Sequence, residues 1–319
     1  MWAARNGRNE SLNSSGHPLH QSAANRRGII AMLAAMTFFV FGDTVLKLAA
    51  AAYPPGQIMA VRGAFAVLIT LSFIAATGQL RELHRTFSRL VMLRAVLEAA
   101  IAFLFITGVA VLPLANITAI LQATPIILTF MTVVLGIEQV GWRRWSAILC
   151  GFAGVLLVVK PSPAAFDIYA LLALACAALV AARDLVTRSI GTFVPSSVIT
   201  FSTTLAVAVA GVFVGISEGW QPVGASEAAL LFAAAVLVTL GNATIVMAFR
   251  GTDVSVVSPF RYSNVPFAIV LGFLVFGELP DVIAFAGIAL IIVSGIYTLH
   301  REQVRQREAR ALAPANPPA

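Results

Sequence analysis

Apolar residues gather along this chain into ten long runs separated by short polar turns. A helix needs about 20 apolar residues to cross the roughly 30 Å hydrocarbon layer of a bilayer. On that measure the runs predict helices at 28–49, 57–77, 90–111, 115–136, 143–160, 167–188, 197–216, 228–249, 254–276 and 281–299. Helix breakers mark the turns, among them Tyr53-Pro54-Pro55-Gly56, Pro161-Ser162-Pro163, Gly191 to Pro195 and Gly219 to Gly224. The turns are too short to be domains, so the predicted fold is an all-α membrane protein whose function resides within the bilayer.

Charge sharpens that picture into a topology. Cytoplasmic segments collect Lys and Arg because basic residues resist translocation. With the amino terminus inside, one side gathers Arg5, Arg8, Arg26, Arg27, Arg81, Arg85, Arg89, Arg143, Arg144, Arg188, Arg250, Arg301, Arg305, Arg307 and Arg310. The other side keeps Lys47 and Lys160 beside the acids Glu218, Glu227 and Asp281. Both termini are therefore expected in the cytoplasm, as tails of residues 1–27 and 301–319. The first apolar stretch is too long for the core of a signal peptide, so it is expected to be retained.

A shift of 141 residues lays the chain on itself. It places Asp43 on Asp184, Lys47 on Arg188, Pro54 on Pro195, Pro125 on Pro266, Gly136 on Gly277 and Gly154 on Gly295; Glu138 meets Glu278 with a slip of one. An acid and a base four residues apart inside an apolar helix are rare, and rarer twice at matching places. The two repeats, 28–160 and 161–300, hold five predicted helices each. An odd number turns the second repeat upside down in the membrane, and inverted repeats are a recurring device of secondary transporters.

The stretch Leu112-Pro113-Leu114-Ala115-Asn116-Ile117-Thr118-Ala119-Ile120, with Pro125, Gly136-Ile137-Glu138, Gly141-Trp142-Arg143-Arg144-Trp145 and Gly151 to Val155, resembles the EamA repeat of the drug/metabolite transporter superfamily. Pro259 to Pro266, Phe276 to Asp281 and Gly287 to Gly295 echo it in the second half. The resemblance covers nearly all of residues 28–299. It implies ten transmembrane helices in two inverted EamA repeats, cytoplasmic termini, a central cavity and export of metabolites across a bacterial inner membrane. Within the superfamily the chain resembles exporters of aromatic and neutral amino acids; importers of S-adenosylmethionine or riboflavin share the same stretches. The partners so implied are a small-molecule substrate and membrane lipid, with the protein a monomer or homodimer.

Candidate chemistry centres on two prolines. Pro125 and Pro266 fall inside the fourth and ninth predicted spans, where each removes a backbone hydrogen bond and kinks a helix. The freed carbonyls are those of Leu121 and Tyr262, tolerable only beside protein or a watery cavity. Matched interruptions in two repeats point to a transport site; a packing kink is the competing explanation. Around them lie Asn116, Gln122, Tyr262 and Asn264, together with Thr118, Thr124, Ser258 and Arg261. Arg261 has no acid within a helical turn, so it needs a carboxylate from another helix or from a substrate. Asp43 with Lys47, Arg94 with Glu98, and Asp184 with Arg188 have the four-residue spacing of pairs within one helix. They serve as structural pairs or as gates. Phe38, Phe39, Phe103, Phe105 and Phe260 line either lipid or an aromatic platform.

Composition excludes other classes. Of 319 residues, 59% are hydrophobic and 11% charged, against about 25% charged in soluble domains, and the mean hydropathy is +0.91. The net charge of +7 lies in tails and turns rather than on a basic face, so no nucleic-acid partner is expected. Gly215-Ile216-Ser217-Glu218-Gly219 fits a nucleophile pattern but falls in a turn, not between a strand and a helix. His17, His20, His84 and His300 lie outside the apolar runs, and Cys150 and Cys176 stand apart. No enzyme activity, metal site or cofactor is expected. The expected function is secondary transport of amino acids by alternating access, with a cofactor-like metabolite such as S-adenosylmethionine or riboflavin as the alternative substrate.

Overall fold

The computed structural model describes residues 18–136, 142–159, 168–190, 194–249 and 257–312. Helices follow one another as α1 (Pro18–Ala50), α2 (Pro55–Ala76), α3 (Arg89–Val111), α4 (Leu114–Leu121), α5 (Thr124–Val134), α6 (Trp142–Val159), α7 (Ile168–Ser189), α8 (Ser196–Gly215), α9 (Ala225–Phe249), α10 (Asn264–Phe276) and α11 (Val282–Leu312). Short 3-10 turns at Leu80–Phe87 and Ser258–Ser263 precede α3 and α10. The described residues contain no strand. Among the described residues eight stretches are long and apolar enough to cross a membrane, with α4 and α5 together forming one of them, Leu114–Val134. Trp145–Val159 and Val282–Thr298 are shorter apolar helices.

The helix ends follow from local chemistry. Pro54 is extended and Pro55 opens α2, where a missing N–H costs nothing. Gly136 and Gly277, repeat mates, both take a left-handed conformation (φ 68° and 67°) that ends α5 and α10. At Gly277 the chain turns back, so that the Glu278 N–H reaches the Gly272 carbonyl at 3.1 Å.

Helices pack mainly across the repeats: α2 on α8, α1 on α9, α6 on α11, and α3 on α7. Each pair runs antiparallel. A Cβ at Gly63 would meet Ala208 at 2.7 Å, Gly211 lies against Met59 and Ala60, and Gly56 against Gly215 and Glu218. Gly154 and Gly287 bring α6 and α11 together, each Cβ position lying within 2.7 Å of the other's carbonyl oxygen. Small residues at such crossings let backbones approach where lipid supplies no hydrophobic drive.

The pairings also map onto one another. Gly42 of α1 lies against Val238 of α9; the 141-residue shift, applied in opposite senses, carries these to Arg183 and Leu97. Arg183 of α7 in fact meets Glu98 of α3, one residue away. The two halves are thus related by a pseudo-two-fold exchange. Large apolar side chains such as Phe73, Phe213 and Leu274 are exposed on the outside of the bundle, the surface a bilayer covers.

Candidate functional site at the paired helix breaks

The fourth span passes through a tight turn and the ninth through a change of helix type, both within right-handed backbone. The first stops at Leu121, turns through Gln122 and Ala123, and restarts at Thr124; the second changes from a 3-10 turn to an α-helix at Ser263 and Asn264. These positions are repeat mates. Pro125 therefore sits in the opening turn of α5 and Pro266 at the third residue of α10, where neither removes an interior helical bond. The Leu121 carbonyl, four residues before Pro125, accepts a hydrogen bond from Thr124 Oγ1 at 2.6 Å. Gln122 Nε2 donates to the Arg261 carbonyl at 2.9 Å, joining the two breaks.

Polar atoms without a protein partner cluster in these elements: Asn116 Oδ1, Thr118 Oγ1, Asn264 Oδ1 and the Tyr262 hydroxyl are buried and unbonded. Leu114, Thr118 and Gln122 follow a four-residue step along α4, and this stripe faces α10, since Leu114 meets Gly272 and Gln122 meets Arg261. Tyr262 is buried with its hydroxyl pressed against Gly295 of α11, so its ring is turned toward helix packing. Arg261 is exposed, and no described carboxylate pairs with it. The Ser258 side chain lies outside the described residues.

Two of the expected pairs within helices give way to pairs between them, Lys47 with Glu278 and Glu98 with Arg183. Lys47 turns away from Asp43 and places Nζ 2.7 Å from both carboxylate oxygens of Glu278 and 2.7 Å from the Leu112 carbonyl. Glu278 Oε2 also accepts the Leu114 N–H at 3.2 Å, and the ammonium lies 4.9 Å from the centre of the Phe276 ring. The left-handed Gly277 delivers the carboxylate to this point. It joins the ends of α1, α3, α4 and α10.

Deeper in the bundle, Glu98 takes Arg183 at 3.0 Å rather than Arg94, and Asp184 takes the same guanidinium at 2.7 Å. Arg94 donates to Thr187 Oγ1 at 2.9 Å, while one of its terminal nitrogens stays unbonded. Interhelical partners prevail because each long side chain can choose among carboxylates converging from facing helices. The Arg188 side chain and Glu138 lie outside the described residues. Two basic residues in the apolar runs went unremarked in the sequence: Arg183, adjacent to Asp184, and Arg62 of α2, which interacts electrostatically with Asp43 and Glu98. Being charges inside an apolar run, both could have been flagged. Among the described residues no group of His, Cys, Asp and Glu could hold a metal.

The EamA-like transporter family matches residues 26–160 and again 167–299. The chain belongs to that family. The riboflavin transporter of Vibrio cholerae serotype O1 is 25% identical over 300 residues, covering 93% of this chain and 98% of that protein. The pseudopaline exporter CntI of Pseudomonas aeruginosa is 28% identical over 274 residues, covering 84% of this chain and 94% of the exporter. An S-adenosylmethionine uptake transporter of Rickettsia conorii is 23% identical over 203 residues, 61% of this chain and 66% of its own length. A solved crystal structure shares the fold with a TM-score of 0.60 at 18% identity, covering 90% of this chain and 99% of the other. The protein is a multi-pass membrane transporter. At the level of branch, the expected likeness to amino-acid exporters gives way to relatives named for riboflavin, pseudopaline and S-adenosylmethionine.

Proposed function

We propose that this chain moves a polar organic metabolite, of the kind represented by riboflavin, pseudopaline or S-adenosylmethionine, through a site between its paired helix breaks. The observation that carries this is the set of unbonded buried atoms on Thr118 and Asn264 beside breaks joined by Gln122. An unsatisfied buried polar atom costs about 1–3 kcal/mol, a cost that a hydrogen-bonding solute removes. The relatives named for riboflavin, pseudopaline and S-adenosylmethionine favour such a solute over a free amino acid.

In this reading ten helices cross the inner membrane, both termini face the cytoplasm, and residues 28–160 and 161–300 rock against each other about the breaks. The Lys47–Glu278 pair then lies at the outer end, closing α1, α3, α4 and α10 together. The test is flux in proteoliposomes loaded in turn with labelled riboflavin, S-adenosylmethionine and leucine. Saturable, protein-dependent movement of either larger solute supports the proposal. Movement of leucine alone restores amino-acid transport, and movement of none removes the site.

A further inference from the structure

Two opposite charges in the bundle have no bonded partner. Asp43 of α1 and Arg62 of α2 attract one another, yet neither makes an ion pair or a side-chain hydrogen bond among the described residues. Both side chains are partly accessible, and α1 and α2 themselves scarcely touch. They also lie at one depth. Asp43 is seven residues from the end of α1 at Ala50, and Arg62 seven from the start of α2 at Pro55, each about 10 Å along its helix.

The repeat supplies an internal comparison. Asp184, the mate of Asp43, is held by the neighbouring Arg183 at 2.7 Å. The residue corresponding to Arg183 in the first half is Gly42, and the mate of Arg62 is Thr203. The first half therefore has the acid without an adjoining base, and a base on the next helix that does not close onto it. An intramembrane charge left open in this manner is a functional feature by default.

Position ties the pair to the transport site. Lys47 Nζ and the Leu114 N–H share Glu278; from there Asp43 lies four residues inward along α1 and Thr118 four inward along α4, about 6 Å in each case. We propose that Asp43 and Arg62 clamp the head of a zwitterionic solute, Asp43 taking an ammonium and Arg62 a carboxylate, while the rest of the molecule lies along the α4 and α10 breaks. This rests on the transport reading and narrows it to solutes carrying an α-amino-carboxylate. Riboflavin lacks that group; S-adenosylmethionine has it.

The test measures binding to the full-length protein in nanodiscs with S-adenosylmethionine, its decarboxylated analogue and its deaminated analogue as probes. Charged hydrogen bonds of this kind predict roughly a 10- to 100-fold preference for the complete head over either analogue. Arg62→Gln should erase the preference over the decarboxylated analogue alone, and Asp43→Asn the preference over the deaminated one alone. Exchanging both, Asp43→Arg with Arg62→Asp, should restore part of the binding lost in either charge reversal. Monodisperse elution and unchanged thermal unfolding without ligand show that each variant is folded. No binding of S-adenosylmethionine to the intact protein, or analogue preferences that survive both substitutions, overturns the clamp. Riboflavin flux in such a protein would leave the transport reading standing; absence of all solute flux would remove that reading itself.

Discussion

Replacing Glu278 by Gln isolates the ion pair that gathers four helix ends. The Lys47 side chain is 8% exposed and Glu278 29%, so the substitution strands a nearly buried ammonium with the Leu112 carbonyl and the Phe276 ring as its neighbours. Breaking one side of a buried pair costs roughly 3–5 kcal/mol. Partial solvent access at Glu278 screens part of that, leaving about 2–4 kcal/mol. For a chain of this size the loss corresponds to a fall in Tm of roughly 5–10 °C in detergent, read by intrinsic fluorescence during heating. Removing both charges, Lys47→Met with Glu278→Gln, leaves no stranded ion and should recover more than half of the loss. A single variant that melts within about 1 °C of the parent, or a double variant less stable than the single, would refute this account of the end of the bundle.

Other substitutions test separate parts of the structure. Gly211→Val places a side chain against the backbone of Met59 and Ala60, so it should abolish folded, monodisperse protein, judged by size-exclusion chromatography after membrane extraction. Pro125→Ala should change Tm by less than about 2 °C, because the proline stands in the first turn of α5 and not in a helix interior. Arg183→Gln leaves Glu98 and Asp184 without their shared cation and should destabilise more than Arg94→Gln, which removes a single bond to Thr187; paired thermal scans give the order. Asn264→Leu should raise the KM for the transported solute about tenfold with little change in Tm.

Much of the architecture was legible in the sequence because a bilayer demands long apolar runs and penalises every charge within them. The Asp43–Asp184 and Pro125–Pro266 matches led directly to the repeats, and the same shift places the left-handed Gly136 and Gly277 and both helix breaks at corresponding positions. Pairing was less legible. A four-residue spacing reports which side chains share a helix face, whereas Lys47 reaches Glu278 and Glu98 reaches Arg183 only once separate helices are folded together. Similarly, Pro125 signals an interruption without specifying whether the helix bends or restarts; the turn at Gln122 and Ala123 decides that. Tyr262 carried the right chemistry for a binding group, but the small Gly295 on α11 draws its hydroxyl into packing.

Access to the helix breaks from the two membrane faces tests the central claim most directly. With Cys150→Ser and Cys176→Ala as background, Asn264→Cys can be labelled with a membrane-impermeant maleimide in right-side-out and in inverted vesicles. Alternating access predicts labelling from both faces, slowed from both by a transported solute. Labelling from one face only, with a rate unaffected by any solute the protein moves, would contradict a transport site at the paired breaks.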